Sequence, residues 1–133
     1  MRNFASILID EFKHLGVKIV TDSINHFDTV TIDSKASGFS SADYVVSEFH
    51  KYGINLRRVD DNLVSISFNE TSNLVDLDEI IEIFAELKQK PATKSLLTDK
   101  FYEHRKYSEL PKELKRTSTF LQQAQFTEIT SET

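Results

Sequence analysis

Gly53-Ile54-Asn55-Leu56-Arg57-Arg58-Val59-Asp60-Asp61-Asn62-Leu63-Val64-Ser65-Ile66-Ser67-Phe68 is the stretch whose reading decides the fold. Two strand-like runs, Ile54 to Val59 and Leu63 to Phe68, flank Asp60-Asp61-Asn62, a trio suited to a tight hairpin turn because Asp and Asn tolerate positive φ. In the second run Val64, Ile66 and Phe68 share one face and Ser65 and Ser67 the other, so one side of the sheet is core and the other wet. An antiparallel element of this kind needs helices to cover its apolar face.

The segments on either side supply them. Downstream, Leu77, Ile80, Ile81, Phe84 and Leu87 fall on one helical stripe. Asp76 is predicted as N-cap with Glu79 as its capping-box partner, Val75 and Ile80 as a hydrophobic staple, and Pro91 just past the end. Upstream, Ser40 or Ser41 caps a helix with inner face Ala42, Val45, Val46 and Phe49, stopped by Gly53. Thr29 to Ile32 alternates as a strand ending at Asp33-Ser34, Val17 to Val20 reads as a short strand, and Asp22 to His26 as a loop. Phe4, Ile7, Leu8, Phe12 and Leu15 form the stripe of a first helix, with His14 in its last turn and Gly16 at a left-handed C′ position.

The resulting order, α-β-β-α-β-β-α, predicts an α+β fold: a mixed or antiparallel sheet of about four strands with three helices on one face. The organisation changes after Lys90, giving an α+β domain over 1–90 and a connector or strap over 91–133. Residues 1–99 carry 10 basic and 16 acidic side chains, a net −6, whereas residues 100–117 carry six basic (Lys100, Arg105, Lys106, Lys112, Lys115, Arg116) and three acidic (Glu103, Glu109, Glu113), a net +3. Leu121 to Thr133 is polar with isolated Phe126 and Ile129, and such an end lies on another surface or stays mobile.

Composition narrows the function classes. The 133 residues (15.3 kDa) suffice for one domain with a real core, and 39% hydrophobic against 28% charged residues is a globular balance. The net charge of −5 argues against general nucleic-acid binding. With no Cys, disulfides, thiolate metal sites and a cysteine nucleophile are excluded. No apolar run approaches the ~18 residues of a membrane span, and the acids at Asp10 and Glu11 make the N-terminus a helix rather than a signal peptide.

No catalytic constellation emerges from the residues alone. His14, His26, His50 and His104 never recur at helical metal-ligand spacing. Asp60-Asp61 is explained by its turn, and Asp76, Asp78, Glu79 and Glu82 by a helix start, where the macrodipole favours acids. Three glycines, at 16, 38 and 53, allow no phosphate loop, and no Ser sits in a nucleophile elbow. Arg57 and Arg58 alternate faces of a strand, where an Arg is usually solvated or ion-paired. A lysine that holds pyridoxal phosphate often follows His, as Lys51 follows His50. Here, however, the pair lies in the last turn of a helix, where basic residues are expected from the dipole, and no phosphate cup flanks it. The remaining candidate is Lys115-Arg116-Thr117-Ser118-Thr119-Phe120-Leu121. In that run Arg116, Thr117 and Ser118 could grip an anion or strap the chain to another domain.

Several stretches together resemble a known family. Gly53 to Asp61 followed by Val64 to Thr71 is similar to the "GINLRRVDD…VGISLDETT" of the P-protein of the glycine cleavage system, the glycine dehydrogenase (decarboxylating), and Asp78 to Phe84 continues its "EDVEDLLxxF". Gly16 to Val20 with Phe27 to Val30 resembles its "GVxxVHxxFFDTLTV", Lys115 to Leu121 its "RRTSPFL", and Ser131-Glu132-Thr133 its "HSET". The chain departs from the family at Thr119 (Pro in the motif), at Gln122 to Phe126 ("THxVF") and at Thr130 (His), so no catalytic residue carries over.

The resemblance implies a fragment of a much longer enzyme: the small C-terminal domain of the first of two related halves, each built like a fold-type-I pyridoxal-phosphate enzyme, plus the connector to the second. It implies that the parent decarboxylates glycine and passes the aminomethyl group to the lipoyl arm of H-protein, an oxidoreductase of glycine catabolism. The cofactor lysine would lie outside this chain, which would bind no cofactor or metal and be inactive alone. Partners would be the rest of the P-protein and, through it, H-protein, with no nucleic acid or membrane. The compartment would be the mitochondrial matrix in a eukaryote and the cytoplasm in a bacterium. A fragment of this kind would expose apolar patches normally covered by the rest. The alternative is a stand-alone α+β interaction or regulatory module derived from that enzyme.

Overall fold

A computed structural model describes residues 1–90 and 110–125. The expected hallmarks at Pro91, His104, Phe126, Ile129, Thr130 and Ser131-Glu132-Thr133, and the basic Lys100, Arg105 and Lys106, lie outside the described residues. Three helices, α1 (Arg2–Leu15), α2 (Ala42–His50) and α3 (Leu74–Leu87), accompany strands β1 (Lys18–Ile19), β2 (Thr29–Asp33), β3 (Arg57–Arg58) and β4 (Leu63–Ser67). The strands form one sheet in the order β1-β2-β4-β3, with every neighbouring pair antiparallel. The chain is therefore α+β.

The central pair is β2 with β4, in register from Thr29 opposite Ser67 to Asp33 opposite Leu63. That register puts Val30, Ile32, Val64 and Ile66 on one face, where they are buried with Phe68. On the other face Thr29 and Ser67 join hydroxyls at 2.9 Å, and Thr31 and Ser65 at 2.7 Å. These are the cross-strand polar pairs that stabilise a half-wet sheet. The wet side is drier than the alternation implies, since Ser65 is itself buried.

Helices α1 and α3 pack on each other and α1 also meets β1 and β2, while α2 covers β3 and β4. Phe84 of α3 is the centre of the core, with its ring centroid 4.7 Å from that of Phe12, 4.7 Å from Phe49 and 6.2 Å from Phe39. The α1 stripe, Phe4, Ile7, Leu8, Phe12 and Leu15, is buried as its spacing predicts, and Gly16 ends the helix at φ +77°. That left-handed conformation suits a residue without Cβ.

Local differences from the sequence reading have identifiable causes. The cap of α3 is Asn73, not Asp76, because the Asn73 side chain accepts from the Val75 and Asp76 N–H groups while Asp76, at N3, accepts from the Asn73 N–H. Val75 thus lies inside the helix and is 73% exposed, so no staple with Ile80 forms. Of the two serines, Ser41 is the cap of α2, accepting from the Tyr44 N–H. The turn after β3 is closed by Asp60, whose carboxylate accepts from the Asn62 and Leu63 N–H groups, and among the described residues no positive φ occurs there. Edge strands β1 and β3 shrink to two residues each, since beyond Arg57 and Arg58 the Ile54–Val59 run has no ladder partner.

Candidate functional site

The basic segment sits after a short 3-10 helix (Lys112–Leu114) that follows Pro111. Arg116, Thr117 and Ser118 are all exposed, and the Arg116 guanidinium stacks 5.3 Å from the centroid of the Phe120 ring. Gln122 donates to the Thr119 carbonyl at 3.2 Å. Leu114, Phe120 and Leu121 show 48–62% of their surface. The segment thus presents a cation–π pair flanked by hydroxyls and apolar side chains, a shape suited to lying on a surface.

The other sequence candidates resolve into structural roles. Arg58 is held by Asp43 at 2.7 Å and also pairs with Asp61, and these carboxylates raise its pKa further. Arg57 is exposed on the opposite face of the strand. Lys51 lies just past α2 and pairs with Glu48 at 2.6 Å, which raises its pKa. A lysine that forms an imine needs the reverse, a neutral amine favoured by burial or a neighbouring cation. Lys51 is a salt-bridged surface cation. Among the described residues no three His, Asp or Glu groups converge as a metal site, and no helix is long and apolar enough to cross a membrane.

One arrangement escapes sequence reading altogether. His26, only 8% exposed, hydrogen-bonds Ser6 Oγ through Nε2 at 2.8 Å and the Asp22 carbonyl through Nδ1 at 3.2 Å. A carbonyl only accepts, so Nδ1 carries the proton, and in the neutral ring Nε2 is an acceptor that shares the single Ser6 hydroxyl proton with the Arg2 carbonyl, 3.1 Å from Ser6 Oγ. Burial lowers the His26 pKa, a trend that Arg2 reinforces and the Asp22 carbonyl opposes. Asp22 in turn accepts from the Ile24 and Asn25 N–H groups, which lowers its own pKa, and Arg2 donates to the Ile24 carbonyl. Ser6 and His26 lie 20 residues apart in sequence, and only the docking of the 22–28 loop on α1 unites them. The loop, pinned this way, still displays Ile24 and Phe27 at 67% and 51% exposure. The pair has the outline of a nucleophile and base, but a carbonyl rather than a carboxylate orients the ring, and the arrangement serves as a latch.

The fold and these surfaces define a class: a small α+β domain with helices on one face of an antiparallel sheet and exposed apolar side chains on the loop between its first two strands. No protein-family profile matches the chain. Over 134 residues, 99% of its length, it is 29% identical to the glycine dehydrogenase (decarboxylating) of Pelagibacter ubique. Over 135 residues, 100% of its length, it is 30% identical to that of Photobacterium profundum. The mitochondrial glycine dehydrogenase (decarboxylating) of Solanum tuberosum is 38% identical over 81 residues, 61% of the chain and 7% of that protein. The chain belongs to the glycine dehydrogenase (decarboxylating) family, as a portion of the larger enzyme. It spans 12% and 13% of the two bacterial relatives.

Proposed function

We propose that this chain is a non-catalytic scaffold of a glycine cleavage P-protein, formed by the small domain of its first half (residues 1–90) and the connector towards the second (residues 91–133). The observation that carries this reading is the end-to-end similarity to glycine dehydrogenases, 30% identity over the full chain. In the whole enzyme, pyridoxal phosphate supplies the electron sink for glycine decarboxylation, and the aminomethyl group leaves on the lipoyl arm of H-protein. On this reading the cofactor is held by residues outside this chain, in keeping with Lys51 being a surface cation tied to Glu48.

The chain's own contribution is shape. Ile24 and Phe27 are exposed on a loop that Asp22 and His26 hydrogen-bond, and apolar side chains displayed in this way suit burial against the remaining polypeptide. Arg116, Thr117 and Ser118, on a segment with Phe120 and Leu121 uncovered, strap the domain to the second half. The compartment follows the host: the mitochondrial matrix in a eukaryote, the cytoplasm in a bacterium.

The test is a chimera. The matching 135 residues of the Photobacterium enzyme are replaced by this chain, and glycine-dependent release of carbon dioxide and cofactor absorbance are measured. Retention of both is expected. A soluble chimera that binds cofactor normally but has lost decarboxylation entirely would assign the segment a chemical role and overturn the scaffold reading.

A further inference from the structure

A second feature, unrelated to the reaction of the larger enzyme, lies at the end of α1. There a cavity of about 290 Å3 is lined by Lys13, Gly16, Val17, Lys18 and Ile19. Lys90, from beyond α3, brings its Nζ to 3.3 Å from the point that a Cβ on Gly16 would occupy. Lys88 lies next to this group: its ammonium donates to the Ser37 carbonyl and sits 5.6 Å from the Phe39 ring centroid, and the Ser37 hydroxyl accepts from the Lys18 N–H at 2.8 Å. Lys13 and Lys18 thus line the cavity, Lys90 reaches its glycine lip and Lys88 lies beyond Ser37, on a chain whose net charge is −5.

Ammonium groups placed around one cavity make a local positive field that favours an anion. Among the described residues none of Lys13, Lys18, Lys88 and Lys90 makes an ion pair. Asp33, opposite Lys18 in register, keeps its charge while accepting from the Ala36 N–H at 2.9 Å, and among the described residues no ion pair joins it to Lys18. Lys13 lies in the last turn of α1, where the helix dipole favours a cation, whereas Lys18 and Lys90 lie outside the helix. The last carbonyls of α1 are closed by the backbone, Gly16 N–H to Lys13 and Val17 N–H to Phe12. The floor is apolar: Val17 is buried and Ile19 packs against the core.

We propose that this cavity is a binding site for a small organic phosphate. Lys13, Lys18 and Lys90 would surround the phosphate, whose several oxygens can engage three ammonium groups at once, whereas a carboxylate offers two. Val17 and Ile19 would take the organic body, in a volume near the lower end for small-molecule sites. Gly16 suits the lip because a side chain there would strain a backbone at φ +77°.

The site is tested by following backbone amide resonances of the isotope-labelled 133-residue chain during titration with phenyl phosphate, inorganic phosphate and benzoate at low ionic strength. Saturable shifts confined to Lys13–Ile19 and Lys88–Lys90 are expected, strongest for phenyl phosphate. The double substitution Lys13→Gln with Lys18→Gln is expected to weaken phenyl phosphate about tenfold, while Lys51→Gln, whose charge is already tied to Glu48, leaves affinity unchanged. Unsaturating shifts spread equally over Lys35, Lys51 and Lys112, an unaffected double variant, or tighter binding of benzoate than of phenyl phosphate would each overturn the assignment.

Discussion

Asn73 and Asp76 cap each other. The Asn73 side-chain oxygen accepts from the Asp76 N–H at 3.1 Å, and an Asp76 carboxylate oxygen accepts from the Asn73 N–H at 2.9 Å. This reciprocal pair sets the first turn of α3 and so the depth at which Phe84 enters the core further along the helix. Replacing Asn73 by Ala removes acceptors for two backbone N–H groups and should cost about 1 kcal/mol. Thermal unfolding followed by circular dichroism should show a midpoint lower by several degrees, and an unchanged midpoint would deny the cap its role.

Phe84 carries the heaviest packing load, with three aromatic neighbours on α1, α2 and the loop before α2. Phe84→Ala leaves a void that those rings cannot all close and should cost roughly 3–5 kcal/mol. Denaturant titration measures this directly, and a loss below about 1.5 kcal/mol would mean that the core repacks.

His26 makes stability depend on pH. Its pKa is lowered in the folded state, so between that value and the ordinary one near 6.5 the unfolded chain binds more protons. Stability from this residue is complete above about pH 6.5 and is lost as pH falls through the folded-state value. Ile24 and Phe27 should become mobile with it. The variant His26→Gln should flatten the stability profile between about pH 7 and pH 5, and an unaltered slope would place the titration elsewhere.

Lys51 should stay unmodified at modest pyridoxal phosphate concentrations followed by borohydride reduction. Its pKa is raised by Glu48, which disfavours the neutral amine that attacks an aldehyde. Peptide mass mapping provides the check: a stoichiometric adduct on Lys51 would overturn the scaffold reading, whereas traces shared among surface lysines would not.

Most of the fold is legible in local pattern. The stripes of α1 and α3, the alternation of β4 and Gly16 as a helix stop are each dictated by residues a few positions apart. What the pattern misjudges involves competition between neighbours. Asn73 and Asp76 are both good caps, and only the backbone bonds show which one wins. Ile54 and Leu56 look like strand residues because they are apolar, yet they pack against the core from a segment without a ladder partner. The His26 latch and the lysine-lined cavity are illegible in sequence because their members meet only through tertiary docking. The basic run around Arg116 is visible in composition, since charge clustering survives without knowledge of the fold.

The pairing of Thr29 with Ser67 spans 38 residues, and α2 and β3 lie between the two central strands. A chain made from its N-terminus therefore completes α1, β1 and β2 well before β4 exists. Until Phe68 has been synthesised, one edge of β2 has no backbone to bond and the apolar face of α1 has only half a sheet to lie on. Closure of so distant a contact is slow, and the waiting intermediate is sticky. In a polypeptide many times longer, this domain is a point at which nascent chains are exposed to misassembly, and where a delay in synthesis after Phe68 would do the most good.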